Sequence, residues 1–599
     1  MKDIIKKMLD IMSSRDKKKL IFLIIIHFFS SISGIIGIAT VIPFIAIISN
    51  PNFITTNRYI NFLFVKSGFT LYNFVIATGV LMLLVFILSN FFIALSTWYN
   101  IRFARRMGLN LSKNLFNKYI SSHYEFFLQR NASEFLKNVV SEVNTVVNNT
   151  IKTFVDLIAK SLLIIFIFAG LIYINPMAAI FMVVFLGSIY FIIYTIIKKR
   201  LVNSSKELVV WNRVRHKLLY EAFGGIKDVK LFGKEPYFYK KFLDSSYIIE
   251  EKQSSVQILG QMPKYFLESI AFGGILAIAL ILFIINKSSA DIFPLLGLYA
   301  FAGYRIMPSL EAIFRSVSTM RGAGASLDII HKEFTTDTVK LIAHLKDKQS
   351  LNPVIFKNNI TLKDITFQYA NKDKPIFNKL NLVINSNQTI AFVGTTGCGK
   401  TTIVDIMLGL LKPMSGEILI DDKLITEENI RSWQRHIGYV SQQIYLSDDS
   451  VTNNIAFGVE QDKIDHEAVQ KAASIASIHN FVMEELSDGY NTRVGDKGIR
   501  LSGGQRQRIG IARALYYNPD VLVFDEATSA LDNLTEAAVM EAIDKLMGTK
   551  TIIIIAHRLS TVKKCDRIFL IDKGEIVDSG NYDELLNKSE QFREFASKS

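Results

Sequence analysis

Cysteine is almost absent from this chain. Cys398 and Cys565 are the two in 599 residues, which excludes a fold stapled by disulfides. Charge is missing over long stretches: neither Leu20–Ser49 nor Leu71–Trp98 contains a Lys, Arg, Asp or Glu. Each run exceeds the roughly 20 apolar residues that carry a helix across a bilayer, and repeated runs of that length do not suit the core of a soluble protein. The first run is also far longer than a secretion-signal core and lacks a small-residue cleavage site, so it is expected to stay as a membrane segment. Acidic residues are in deficit, 54 against 68 Lys and Arg, giving a net charge of +14 and a pI near 9.3. The cations are dispersed beside the apolar runs, which argues against a nucleic-acid surface, and no nucleic-acid partner is expected.

What is present is apolar mass: 50% hydrophobic residues and 44 Phe, concentrated before residue 320. Six membrane helices are expected, over about 20–48, 71–98, 153–174, 176–197, 265–286 and 292–316. Asn175-Pro176 breaks the third from the fourth and predicts a tight hairpin; the fifth and sixth turn around Lys287–Asp291. Lys and Arg number 7 in residues 1–19, 8 in 98–152 and 14 in 198–264, whereas the opposite loops hold Arg58, Lys66 and Lys287 alone. That asymmetry predicts a cytoplasmic N-terminus. The loops 98–152 and 198–264 read as helices prolonged into the cytoplasm, turning near His123–Phe127 and near Tyr220–Lys227, where Gly224-Gly225 interrupts the pattern. Domains are expected at 1–330 for the membrane part and 359–599 for the second part, joined by a polar linker over 331–358.

From about Asn359 the texture changes to short β-rich runs, glycine turns and amphipathic helices, as in an α/β domain. Ile390–Val393 is a buried strand leading into Gly394-Thr395-Thr396-Gly397-Cys398-Gly399-Lys400-Thr401, and Thr402 continues into a helix. Strand, loop and helix are the context a phosphate-binding loop requires. Backbone N–H groups and the helix N-terminus cradle phosphates, Lys400 reaches the β and γ oxygens, and Thr401 holds magnesium. Asp525 ends the apolar run Val521–Phe524 and offers a metal carboxylate; Glu526 beside it is the expected general base for the attacking water. Cys398 lies close to Lys400 and a helix N-terminus, so its thiol is expected to ionise readily.

The phosphate loop followed by Leu501-Ser502-Gly503-Gly504-Gln505 and then Val-Leu-Val-Phe-Asp-Glu at 521–526 resembles the ATP-binding cassette (ABC) family, in an exporter-type half-transporter. The resemblance covers nearly the whole chain and implies a six-helix membrane bundle fused to an α/β P-loop domain, with ATP and Mg2+ as cofactors. It further implies that Tyr369 stacks on adenine, that Gln442 senses metal and water, and that His557 contacts the γ-phosphate. Ser502, Gly503, Gly504 and Gln505 complete the site of a second copy, Ser529–Asp532 cross between paired domains, and the chain acts as a homodimer. Thr492–Gly498 resembles the exporter loop that meets coupling helices, with Asp496 where glutamate is commoner.

Within that family, Tyr304-Arg305-Ile306-Met307-Pro308-Ser309 and Ser326–Ile330 look like the sixth helix of bacterial flippases for lipid-linked oligosaccharides. The leading expectation is therefore an ATP-driven inner-membrane flippase of a polyprenyl-pyrophosphate glycan, an anionic glycolipid taken from among the membrane lipids and linked to protein glycosylation. The alternatives are a lipid A, drug or peptide exporter and, in a different class, an ATP-gated channel or regulator. No peptidase domain is expected before the first crossing, which counts against a toxin-processing exporter. Arg305, in an apolar helix, is expected to face a wet cavity or to pair with Glu268 or Glu311; Arg102, Arg105 and Arg106 sit at the cytoplasmic end of the second helix, where they either anchor it as positive-inside charges or attract the same headgroup. Phe53–Val65 reads as an external interfacial helix.

Overall fold

The computed structural model describes residues 1–49, 53–174, 176–284, 289–335, 353–370, 372–495, 498–526, 533–556 and 562–598. The chain divides into two units: Met1–Ser122 with Arg130–Leu341, and His123–Gln129 with Ile342–Ser599.

In the first unit the opening apolar run is not one helix. Ser14–Ala39 stops at Thr40 and Val41–Ser49 takes over, because Pro43 has no N–H to return to the Ala39 carbonyl. The helices Leu71–Ile120, Pro176–Gly224 and Glu235–Ile284 run for 50, 49 and 50 residues. At 1.5 Å per residue each is about 75 Å long, more than twice the ~30 Å hydrocarbon layer, so each continues well past its apolar half. Thr153–Ile174 and Ser289–Gly322 are the third and sixth of the set. Leu81, Leu84, Leu88 and Phe91 on Leu71–Ile120 point outward, as expected where lipid takes the place of a protein neighbour. Inward contacts use small residues: Ser96 Oγ lies 3.3 Å from Ser30 Oγ, and a methyl group on Gly37 would meet Ser89 Oγ at 3.3 Å, a close backbone approach of the kind small residues allow in membranes.

The charged ends of this unit are pinned by ion pairs. Lys7 Nζ reaches Asp328 at 2.8 Å, His331 meets Asp10 at 3.3 Å, and Arg130 binds the buried Glu333 at 2.7 Å. Together they tie the N-terminal helix Lys2–Asp10 and the returning arm of the first long loop, just past its turn, to the helix Gly324–Thr335. The expected external helix is two pieces, Phe53–Thr56 and Arg58–Ser67. Asn57 caps the second by accepting from the Tyr59 and Ile60 N–H groups, which satisfies orphan donors at the helix start. The loops turn through the short helices Tyr124–Leu128 and Ile226–Leu231.

The second unit holds two sheets among its described residues. β1 (Asn359–Phe367), β2 (Phe377–Asn385), β4 (Ser415–Ile420) and β5 (Lys423–Leu424) form an antiparallel sheet in the order β2-β1-β4-β5. β3 (Thr389–Gly394), β6 (Ile437–Val440), β7 (Val521–Asp525), β8 (Thr551–Ile555), β9 (Arg567–Asp572) and β10 (Glu575–Gly580) form the other, ordered β10-β9-β3-β8-β7-β6. β3, β7 and β8 are buried at every position, which is why they read as unbroken apolar runs with no alternation. Trp433, fully buried, donates its indole N–H to the Met407 carbonyl at 2.8 Å and so fastens the helix Lys400–Met407 to the next layer.

Candidate functional site

β3, β8, β7 and β6 are parallel neighbours, so their carboxyl ends share one edge, where open α/β sheets bind ligands. β3 delivers Gly394–Thr401, β7 delivers Asp525-Glu526, β6 leads into Ser441-Gln442, and β8 ends at Ile555-Ala556. The topology thus gathers residues that are far apart in sequence, including Lys400, Asp525, Glu526 and Gln442. His557 and Asp532, and with them Ser529–Leu531 and Asp496, lie outside the described residues.

The loop at Gly394–Gly399 is glycine by necessity. Gly394 and Gly399 have φ of 149° and 111°, and a Cβ on them would fall 2.1 Å from the Ile571 carbonyl oxygen and 2.7 Å from the Phe377 ring. A backbone drawn in this tightly turns its N–H groups toward a phosphate. Lys400 is buried, its Nζ donating to the Gly394 and Thr395 carbonyls at 2.9 and 3.0 Å. Thr401 is exposed at the first turn of the helix while Thr402 is buried, its hydroxyl 3.2 Å from that of Tyr369. Tyr369 is half-buried and edge-on to Phe367, so its ring borders the loop. This cradle of constrained glycines, a buried ammonium and a nearby aromatic fits a nucleoside triphosphate.

The carboxylates fit a divalent cation. Asp525 is buried and accepts the Tyr439 hydroxyl at 3.1 Å. Asp405, one turn beyond Thr401 on the same helix face, is buried as well. Burial first, and then the charge of Asp525, pushes its carboxyl up to about 6. Two carboxylates brought together out of water raise each other's cost of ionisation, a cost a bound cation removes. Neither Tyr439 nor Asp405 stood out from spacing alone, although an acid inside Ile403-Val404-Asp405-Ile406-Met407 is a visible irregularity.

Glu526 adopts φ of 49°, a left-handed backbone that costs a non-glycine residue about 1 kcal/mol. Its N–H bonds to the Ile555 carbonyl at 3.2 Å, and Gln442 Nε2 donates to its Oε2 at 2.6 Å. These two bonds hold the strained residue at the sheet edge. Ser502 caps the helix Gly503–Leu515 through a reciprocal pair: Gln505 N to Ser502 Oγ at 3.2 Å and Ser502 N to Gln505 Oε1 at 2.8 Å. Ser502 and Gly503 are exposed, leaving the positive end of this helix open to solvent.

Cys398 corrects an expectation. Its thiol is buried, and burial raises its pKa despite Lys400 Nζ at 3.9 Å, so it does not ionise readily. Arg305 also differs from expectation in its partners: Nη2 donates to Asn90 Oδ1 at 3.3 Å and the guanidinium lies 5.5 Å from the Phe86 ring centroid. Glu311, one of the two acids expected to pair with it, accepts from Arg315 at 3.1 Å. Arg102 stacks on Trp98 at 4.9 Å, and Arg105 and Arg106 are exposed.

A P-loop ATPase unit joined to a long-helix membrane unit is the class of protein this fold and site define. Residues 377–529 match the ABC transporter family and residues 19–304 its transmembrane region. The chain is 30% identical over 503 residues to an ATP-dependent lipid A-core flippase of Pseudomonas aeruginosa, spanning 83% of this chain and 80% of the relative. A flippase described in the same words from Saccharophagus degradans is 33% identical over 494 residues, 80% of each chain. Among solved structures, a bacterial Atm1-family ABC exporter with ATP bound superposes with a TM-score of 0.75 over 98% of both chains at 20% identity. The chain belongs to the ABC transporter family. It has the exporter fold, is an ATPase coupled to transport that depends on ATP and Mg2+, and is a multi-pass protein of the bacterial inner membrane.

Proposed function

We propose that two copies of this chain form an ATP-driven flippase for a phosphorylated glycolipid of the lipid A class, with the N-terminus and the ATPase unit on the cytoplasmic side. The observation that carries the substrate class is the run of relatives described as lipid A-core flippases, which align over about four fifths of the chain. This reverses the order expected from sequence, where the lipid-linked oligosaccharide came first: the resemblance behind that reading rests on the short segments around Arg305 and Asp328. Either lipid carries phosphate, and Arg305, half-buried at the Phe86-Asn90 face of Leu71–Ile120, suits an anionic headgroup. The dense Lys and Arg of the loops 98–152 and 198–264 support the orientation.

ATP supplies the bond whose hydrolysis drives the cycle, and Mg2+ neutralises phosphate charge. On this reading Lys400 and the loop N–H groups hold the phosphates, while Thr401 and Asp525 hold the cation. Tyr369 stacks the base. Gln442 and Glu526 orient the attacking water, and Glu526 takes its proton. His557 would contact the γ-phosphate, the role the family resemblance implies. Ser502 keeps a hydroxyl hydrogen to donate, because its oxygen only accepts in the capping pair; that donor, Gly503, Gly504, Gln505 and Asp532 serve the partner's site.

The test is transport in proteoliposomes of fluorescent lipid A and of a polyprenyl-pyrophosphate glycan, each with ATP and with AMP-PNP. ATP-dependent movement of lipid A is the expected result. Movement of the glycan alone restores the other order, and movement of neither, with ATPase intact, removes the flippase reading.

A further inference from the structure

β6 contributes more to the ATP site than Gln442. Tyr439 stands opposite Val523 in the parallel β6/β7 ladder, and registered neighbours share a face, as do residues two apart on one strand. Tyr439, Val523 and Asp525 therefore lie along one face of the sheet, and the phenol spans the step from its own position to the carboxylate, its hydroxyl 3.1 Å from Asp525 Oδ2. Three residues on, Gln442 Nε2 donates to Glu526 Oε2 at 2.6 Å. One strand and its exit loop thus hold both members of the consecutive acid pair through separate hydrogen bonds.

We propose that Tyr439 is a positioning residue for the metal: by donating to Oδ2 it fixes the plane of the Asp525 carboxylate, and with it the direction of the other oxygen, toward the cation that accompanies ATP. This rests on the reading of Asp525 as a metal ligand. A carboxylate has about four lone-pair directions, and a ligand whose orientation is not fixed by an outer hydrogen bond loses entropy when the metal binds. The ring alone would fill the space as phenylalanine; the hydroxyl adds direction.

The experiment uses full-length protein and reads binding, not turnover. AMP-PNP affinity is measured with Mg2+ and in EDTA, and the ratio of the two is the metal's contribution. Tyr439→Phe should lower that ratio about 10-fold, the usual cost of removing an outer-shell partner, while affinity in EDTA stays within about twofold. Tyr439 is 38% exposed, so loss of one hydroxyl should leave the packing in place, and an unchanged melting temperature in EDTA checks this. Tyr439→His, which restores a ring donor, should recover part of the ratio. An unchanged ratio in Tyr439→Phe overturns the proposal, as does a parallel fall of the EDTA affinity and the melting temperature, which marks a merely structural hydroxyl. Asp525→Asn run alongside separates the two claims: if it leaves the ratio intact, Asp525 is not the metal carboxylate and the underlying reading fails by itself.

Discussion

Replacing Glu526 by Gln changes one atom of the carboxylate and leaves its surroundings in place. The Gln442 amide at 2.6 Å can still donate, now to a side-chain carbonyl, and glutamine meets the same left-handed cost at φ 49° that glutamate does. Stability should therefore move by less than about 1 kcal/mol. Turnover should not survive, because the amide takes no proton from water. Removing a general base costs about 100- to 10,000-fold, which is about 2.7 to 5.4 kcal/mol of barrier. ATP, bound but not cleaved, should stabilise the folded protein by about 2.7 kcal/mol at one hundred times its Kd. For an ATPase unit of this size that is a rise of roughly 5 to 10 °C in melting temperature. Phosphate release and thermal scanning in Mg-ATP measure both. The backbone adds a control: Glu526→Gly should be about 1 kcal/mol more stable than Glu526→Ala, since only glycine is at ease at that φ. Turnover of Glu526→Gln within threefold of wild type would refute the reasoning, whatever the melting curves do.

Arg305→Ala should slow lipid transport while basal ATPase persists, and Arg305→Lys should recover part of it, keeping the charge but losing the planar donor pair; normal transport by the alanine variant makes the residue idle. Glu333→Ala should destabilise the helical unit by about 3 kcal/mol, because Arg130 loses a buried partner at 2.7 Å; an unchanged melting temperature would remove that pair from the list of structural ties. The thiolate is the reactive form of cysteine, and burial raises the Cys398 thiol and pushes that of Cys565 up to about 12. Maleimide should thus label folded protein slowly at pH 7 and faster as pH rises, with Cys565 reached only on unfolding; complete labelling within minutes at pH 7 would contradict this.

The phosphate loop was legible because its chemistry is local: a strand, constrained glycines and a helix start follow one another within a dozen residues. Asp525 and Glu526 were legible for the same reason. The break at Thr40 was not, since hydropathy counts Pro43 as one more uncharged residue and the cost arises from a missing N–H. Cys398 misled because the sequence shows its cationic neighbour but not the packing that buries it, and burial is the larger effect. Tyr439 and Asn90 were invisible for a third reason. Each acquires its meaning from a partner brought near by strand or helix pairing, Asp525 across β6/β7 and Arg305 from a distant helix.

The exposed capping pair at Ser502 has a genetic corollary. If each ATP site takes its loop from one chain and its helix end from the other, a defect at Ser502 lies in the site of the sister chain. Two different defective chains then need not be equally defective together. In a mixed dimer of Lys400→Ala with Ser502→Ala, both lesions fall in one site, and the second site has the loop of the Ser502→Ala chain and the helix end of the Lys400→Ala chain, both intact. Neither mutant alone assembles any whole site. Co-expressed, they should complement each other, as two alleles in trans would.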